Sequence, residues 1–501
     1  MSTRQDTRKV LFVVHTVASA NRLLDLVPLF DSDLRVELLF TCPEVSVVSD
    51  GVAETFEALG VRAISWPEAL ERKFDLAVTA NHRGELRRLA AQLMIVSHGV
   101  GYTKKSARKS EIGNRKSEIG LSASAYGLSR DWLLHEDEVI PDALVLTHAE
   151  QHTRLAREVP EALPTATVAG DPCLDRLRAS TFLRDRYRRH LGVGPDQRLL
   201  VISSTWNGSS VFGSWPALFR QVMAELDESW LVAGIVHPHV WHGHGTHQLR
   251  LWLADCLRSG LLLVPPLEGW GAALVAADLV VGDHGAVTTY GAALGHPVAL
   301  AAFPDHEVVP GTCVDVLGRT APRLDPRRPL RPQLESVLAT PPDLRAVADL
   351  VASHPDEAAA RHRTLAYGLL GLPEPDSPAL VPVLSPDFQP LTATTRAWLH
   401  TPHGRYGADV QRGRSLDAPA LADPILVAHV RHPDRTTRLT AEVLLGDRDE
   451  LSFDALPSCL VFVHGNEIRH QDGREWTVAG DPVAAAVALV RDGISPAAGP
   501  A

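Results

Sequence analysis

Cysteine is scarce. The five in 501 residues (Cys42, Cys173, Cys256, Cys313, Cys459) are scattered, with no Cys-x-x-Cys pair. That spacing offers no disulfide framework and no thiolate metal site, and it suits a reducing compartment. Long apolar runs are lacking too. None approaches the roughly 18 residues a membrane span requires. The opening MSTRQDTRKVLFVVH holds a five-residue apolar run, too short for the core of a signal peptide. Nor is there an excess of positive charge: a formal net charge of −11 argues against a general nucleic-acid binder. A soluble, cytoplasmic protein is expected. What is present is an ordinary globular composition, 45% hydrophobic and 22% charged. The length suits two to four domains of roughly 100–200 residues each.

Short apolar runs alternate with helical patterns from the start. Residues 10–14 (VLFVV), 36–40, 62–64, 76–79, 94–97 and 144–147 read as buried strands, with helices predicted over 21–29, 85–92 and 150–158. A charged helix over 176–191 and a turn-rich GVGPDQ at 192–197 break the series. It then restarts, with strands at 199–203, 231–236, 261–264, 279–282 and 298–301. Helices are expected over 215–226, 246–259, 270–276 and 286–294, and a further helical stretch over 343–371 packing back on the first domain. Continuous apolar strands separated by helices indicate parallel sheets covered on both faces. The predicted fold is α/β: two Rossmann-like domains, 1–190 and 191–372, facing across a cleft. A proline-rich linker at 373–390 and a smaller α+β extension at 391–501 follow, the extension having strands at 425–430, 439–445, 459–463 and 476–478 and a helix at 483–491. Open α/β sheets bind ligands at the carboxyl ends of their strands, so the cleft is where chemistry is expected.

Candidate residues stand at those strand ends. In MIVSHGVGYTKK, His98 leaves a buried strand, and Gly99 and Gly101 permit close backbone approach to a ligand. His98 either takes a proton from an attacking hydroxyl or simply bonds a carbonyl at a turn. Lys104 and Lys105 open a loop, 104–120, with six Lys or Arg against two Glu; it is either solvated surface or an anion clamp. Within the loop the heptad RKSEIGN at 108–114 repeats as RKSEIGL at 115–121, too few copies for a solenoid. At 282–289 a strand runs through Asp283, His284 and Gly285 into a helix whose first turn holds Ala286, Thr288 and Thr289. Unpaired N–H groups and the dipole make such a helix start an anion site, with diphosphate the favoured ligand; the plainer reading has Asp283 as a cap. Five histidines between His237 and His247 tempt a zinc reading. No carboxylate or cysteine joins them, so no metal site is predicted, and His237 and His239 are expected to face the cleft. Asp171, Thr205 and Trp206 complete the candidates on the acceptor side of the cleft.

In order and context these segments resemble the CDP-glycerol glycerophosphotransferase family, the teichoic-acid polymerases and priming enzymes. The family's HGT-P-x-K loop is similar to His98-Gly99-Val100-Gly101-Tyr102-Thr103-Lys104, and its G-x-P-R-x-D-x-L element to the stretch from Gly170 to Leu177. Its P-T-W-R segment is similar to Ser203-Ser204-Thr205-Trp206-Asn207, its HPH turn to His237-Pro238-His239, and its D-x-x-x-T-D-Y-S-S helix start to the stretch from Asp278 to Ala286. The resemblance implies a GT-B-type enzyme in which His98 deprotonates an acceptor hydroxyl and His237 or His239 contacts the donor diphosphate or leaving group. It also implies that 285–289 hold the donor phosphates, that Asp283 positions that turn, and that no cofactor or obligatory metal is used. The partners implied are a nucleotide-diphosphate donor and a lipid-linked or polymeric acceptor, with peripheral contact at the inner membrane face through 104–120. Two departures stand out: His284-Gly285-Ala286 replaces the family's Tyr-Ser-Ser, leaving Thr288 and Thr289 to supply hydroxyls, and Cys173 replaces an Arg or Asn. Asp-His-Gly-Ala also resembles the D-S-G-G turn of UDP-N-acetylglucosamine 2-epimerases. A nucleotide-sugar glycosyltransferase, a 2-epimerase-like enzyme and a non-catalytic binding protein on the same scaffold are therefore the alternatives.

Overall fold

The computed structural model describes residues 7–43, 51–109, 118–411, 421, 423–450, 453–456 and 458–494. Its first sheet is built from β1 (Arg8–Val13), β2 (Val36–Thr41), β3 (Ala63–Ile64), β4 (Lys73–Thr79), β5 (Ala90–Val96), β6 (Ala143–Leu146) and β7 (Ala166–Val168). These lie in the order β7-β6-β5-β4-β1-β2-β3, and every pairing is parallel. The run 10–14 shows why: Val10, Phe12 and Val14 enter one core cluster while Leu11 and Val13 enter another, so apolar side chains are required on both faces. All five residues are at most 1% exposed, and each contributes about 1.5–3 kcal/mol by leaving water.

The second sheet repeats the plan with β8 (Arg198–Ser204), β9 (Trp230–Val236), β10 (Leu262–Val264), β11 (Leu279–Gly282) and β12 (Val298–Leu300). The order is β10-β9-β8-β11-β12, again wholly parallel. Here Leu199 and Val201 face one cluster, Leu200 and Ile202 the other. Both sheets are doubly wound. Chain order reverses between β1 and β4 in the first and between β8 and β11 in the second, the two crevices where such sheets take ligands.

Two elements link the two halves, and a third sheet adds to the second. The helix Ala358–Leu370 crosses back from the second domain and seats Ala359, Ala366, Tyr367 and Leu370 in the core of the first. The proline-rich stretch then lies along both: Tyr187 donates to the Leu384 carbonyl, Arg176 to that of Pro382, and Leu391 pairs with Leu263 at the sheet edge. A third, seven-stranded sheet spans Ala397–Thr401 to Glu475–Thr477, with Ile425–His429, Val443–Leu445 and Val461–His464 parallel at its centre and antiparallel strands at both sides. It docks on the second domain, where Arg258 pairs with Asp409 and Gln411 donates to the Ala224 carbonyl.

Some predicted elements differ. Residues 85–92 hold only a short 3-10 turn, Leu86–Arg88, before β5 begins at Ala90, because pairing with β4 extends the strand beyond its apolar run. The charged stretch 176–191 is two helices, Pro172–Ala179 and Arg184–Leu191, with the turn Thr181–Leu183 between them. Most of the RKSEIG repeat, residues 110–117, lies outside the described residues, as does that part of the 104–120 loop offered for membrane contact. Among the described residues no helix is long and apolar enough to cross a membrane.

Candidate functional site

Arg22 fixes the turn after β5. It sits 5% exposed in the helix Val17–Leu24, whose start is closed by a reciprocal Thr16–Ser19 capping box. From there it donates to the carbonyls of Ser97 (2.8 Å) and Gly99 (3.0 Å) and to the Asp171 carboxylate (2.7 Å). Asp171 is fully buried: it caps the helix Pro172–Ala179 through Cys173 and Leu174 and accepts the Tyr290 hydroxyl at 2.9 Å. Expected to line the acceptor side of the cleft, Asp171 instead lies beneath its floor with both oxygens engaged. One buried ion pair thus joins the histidine turn, the interdomain loop and a helix of the second domain.

That turn meets the other domain directly. Gly99 has φ +65°, and a Cβ built on it would stand 3.0 Å from the Ala286 Cβ; Gly101 has φ +89°, and its Cβ would meet Gln151 Nε2 at 2.2 Å. Both positions call for glycine. Beyond them the Val309 N–H donates to the Thr103 carbonyl (2.9 Å) and the Lys105 N–H to that of Glu307 (2.9 Å), a backbone bridge across the cleft. Lys105 spends its ammonium on the His306 carbonyl at 2.9 Å, so it ties the bridge rather than facing a ligand as expected.

His98 is exposed to the cleft yet walled by protein. Burial first, then the charge of Lys104, push its pKa down to about 4, while a hydrogen bond to the Ala80 carbonyl works the other way. With one nitrogen donating to that carbonyl, the other keeps its lone pair. Lys104 is likewise exposed at the cleft; its ammonium is held below its usual value by desolvation, opposed by Asp283 and Glu307. It is the cation whose field reaches His98, His237, His239 and His284.

On the second domain, Asp283 and Thr205 follow β11 and β8, flanking that sheet's crevice. Asp283 accepts from the Thr205 N–H (2.8 Å) and hydroxyl (2.9 Å), the Val211 N–H (3.0 Å) and the Gly285 N–H (3.0 Å). Thr205 and Asp283 are therefore spent on shaping the turn. Burial raises the Asp283 pKa against those bonds. The helix Ala286–Ala293 starts at Gly285 with no side-chain cap, which leaves its first N–H groups without a capping acceptor, and Ala286 and Val287 there are half-buried. Thr288 and Thr289 do not serve there: both are fully buried, and Thr289 returns its hydroxyl to the Gly285 carbonyl. They face into the fold because the third and fourth helical positions turn toward the sheet. His284 is 1% exposed with neither ring nitrogen partnered among the described residues. Its Nε2 lies 4.0 Å from Glu307, and burial, then Lys104, push its pKa down to about 3.

His237 caps the helix Pro238–His244, and its Nδ1 lies 3.2 Å from that of His239. Burial pushes the pKa of His239 down to about 4 and that of His237 well below its ordinary value. Trp206, 54% exposed, stacks on His239 at 5.2 Å, which assigns it to the second domain's wall rather than the acceptor side. Among the described residues no group of three or more His, Cys, Asp or Glu is placed to hold a metal ion.

Several contributors were missed in the sequence. His15 and His82 follow β1 and β4, at the first sheet's crevice; the rule that selected His98 applies to them equally. Glu307 anchors the opposite loop through Asn207 and Ser209. Arg22 and Tyr290 carry no local signal, since their shared partner Asp171 lies far from both in the sequence and reaches them only in the fold.

No protein-family model and no curated protein matches the chain. Among solved structures it is similar to a variant of the wall teichoic acid polymerase TagF, at 12% identity and TM-score 0.48, over 73% of this chain and 90% of that one. It is similar to an Anabaena protein solved with UDP and glucose, at 11% identity and TM-score 0.41, over 73% and 100%. It is similar also to a UDP-N-acetylglucosamine 2-epimerase, at 14% identity and TM-score 0.41, over 75% and 99%.

Proposed function

We propose that this chain is a GT-B-type transferase that moves glycerol-phosphate or a sugar from a nucleotide-diphosphate donor to a hydroxyl acceptor. One observation carries the reading: the turn bearing His98 approaches the uncapped helix tip of the other domain so closely that a Cβ on Gly99 would stand 3.0 Å from Ala286. A general base and an anion site therefore share one crevice. In the proposed step the acceptor hydroxyl surrenders its proton to the free nitrogen of His98. Its oxygen bonds to the transferred carbon or phosphorus, and the electron pair of the broken bond leaves with the nucleotide. The N–H groups of Ala286 and Val287, with Lys104, meet the departing charge. With its pKa held near 4, His98 is in the neutral form that a base requires. A bound diphosphate offsets Lys104 and draws the imidazole's pKa back toward neutrality, where proton transfer is most effective.

The motif resemblance extends to the CDP-glycerol family, but the helix start lacks its hydroxyls, since Thr288 and Thr289 are buried. That observation favours a nucleotide-sugar donor as the second reading. Thermal-shift and calorimetric titrations with CDP-glycerol, UDP-sugars, GDP-sugars and the free nucleotides test both. Stabilisation by one donor, with its turnover reduced about 10²-fold or more in His98→Ala, is expected. Stabilisation without turnover identifies a binding protein, and no response to any nucleotide ends the proposal.

A further inference from the structure

The two helices that lead into the second sheet, Pro172–Ala179 and Arg184–Leu191, carry six arginines. Three are held within the fold: Arg176 pairs with Asp25, and Arg184 and Arg188 both pair with Asp278. Arg178, Arg186 and Arg189 pair with no carboxylate among the described residues. Arg186 and Arg189 are exposed and three residues apart, so they share the face turned away from the buried Tyr187 and Leu191. The turn Thr181–Leu183 joins the helices, flanked by Ser180 and Arg184 in helical conformation. Phe182 therefore precedes Arg186 by about one helical turn, on the same side. Leu183 packs on the second domain's core, whereas Phe182 stands 75% exposed. The proline-rich stretch adds two more apolar side chains. Val383 is held beside the turn, because Arg176 donates to the Pro382 carbonyl (3.1 Å) and the Leu384 N–H to the Ser180 hydroxyl (2.9 Å). Val383 and, three residues before it, Leu380 are both exposed.

Single exposed apolar side chains are ordinary on a protein surface, but here three stand beside three cations without acidic partners. The chain as a whole carries a formal net charge of −11, so this patch opposes the sign of the molecule. Asp185, exposed on the same helix, forms no ion pair with Arg189 one turn on, and one carboxylate does not offset three guanidinium groups. The complement of such a patch is a surface that is anionic outside and apolar just beneath. A bilayer containing anionic lipids has that profile. Guanidinium groups bind lipid phosphates through paired N–H donors, while an aromatic ring and short aliphatic side chains enter the boundary between headgroups and acyl chains. A nucleic acid would meet the cations and leave Val383 and Leu380 in water. A stable protein interface draws on about 20–30 residues a side around an apolar core, and three apolar side chains make a small core for one.

We infer that Phe182, Val383 and Leu380, with Arg178, Arg186 and Arg189, form a docking surface for an anionic lipid bilayer. It uses none of residues 104–120, and it is independent of what the cleft transfers. The test is sedimentation of the full chain with vesicles of phosphatidylglycerol and phosphatidylcholine in equal parts, against vesicles of phosphatidylcholine alone. At about 0.1 M salt the chain should pellet with the mixed vesicles only, and it should be released at about 1 M salt, where the Debye length falls to about 3 Å. Arg186→Gln and Arg189→Gln should each weaken binding about fivefold. Phe182→Ser should weaken it about tenfold or more, and Phe182→Trp should retain it. Leu251→Ser, which removes an exposed leucine elsewhere on the second domain, should change nothing. Nucleotide affinity, measured by calorimetry, should be the same in all of these chains, so a failure of the transferase reading shows there and leaves the vesicle result intact. Equal binding to phosphatidylcholine, equal binding by the Phe182 and arginine variants, or no binding at all overturns the inference. So does a concentration-dependent dimer abolished by Phe182→Ser in sedimentation velocity, which would assign the patch to a second copy of the chain.

Discussion

Arg22 shows how much can depend on one side chain. Its guanidinium faces the Asp171 carboxylate in a site where both are at most 5% exposed, and it also holds two carbonyls of the histidine turn. Replacing it by Met leaves a buried carboxylate without its charge partner, which costs about 3–5 kcal/mol. Urea unfolding of Arg22→Met should show that loss; Arg22→Lys should lose less stability while still weakening nucleotide binding, because one ammonium cannot span all three acceptors. A midpoint shift under about 1 kcal/mol for Arg22→Met would mean that the carboxylate is solvated and the ion pair incidental. Gly99 offers a second test. Alanine there adds a Cβ at φ +65° and 3.0 Å from Ala286, so the strain falls on the domain contact itself. Gly99→Ala should destabilise the fold by about 1–2 kcal/mol and weaken nucleotide affinity, whereas Gly60→Ala, with a similar φ but nothing within 4 Å, should lose only stability.

At the scale of elements, the strap and the crossing helix decide whether the two domains behave as one. Phe388 is 4% exposed and lies against Gly269, and Leu384 packs on Gly271, so the strap is seated in the second domain's core rather than hung from it. Phe388→Ala should cost about 3–5 kcal/mol and expose the strap to limited proteolysis near 373–390, read by protease mapping against wild type. Retained protease resistance would show that the prolines alone hold the segment. The sequence made the strands of both sheets legible because burial on both faces demands unbroken apolar runs, as in 10–14 and 199–203. It made the histidine turn and the Asp283 turn legible because both leave such runs through glycine. It left Arg22, Tyr290 and Glu307 invisible, since an arginine within ASANRLLDL looks like any solvent-facing helical residue until a strand end and a carboxylate from residue 171 arrive beside it. Thr288 and Thr289 were misread for a related reason: a hydroxyl in a helix's first turn can face a ligand or the sheet, and only the helix's rotation, set by packing, decides between them.

Across the whole molecule, a set of histidines is held toward the neutral form by burial. Burial holds His15, His98, His239, His296, His362 and His400 at about 4 and His82 and His284 at about 3, and pushes His237 well below its ordinary value of 6.5. Six of them, His15, His82, His98, His237, His239 and His284, belong to the strand ends around the cleft. In the unfolded chain these imidazoles protonate near pH 6.5, while in the fold they resist until pH 4 or below. Between those limits the unfolded state binds more protons at these rings, so their contribution to the free energy of unfolding falls as the pH falls. The stability conferred by neutral histidines is thus complete above pH 6.5 and drains away through the window from 6.5 to 4. Urea unfolding across that window should show a steady loss, and His284→Gln should flatten the slope by up to about one proton, because that ring is buried and unpartnered. Adding pyrophosphate or a nucleoside diphosphate should flatten it further, since an anion beside Lys104 makes protonation of the cleft histidines less costly in the folded state. Stability that stays level from pH 6.5 to 5 would show that the six rings already share protons with water, and the cleft would then be too open to hold a histidine base in its neutral form.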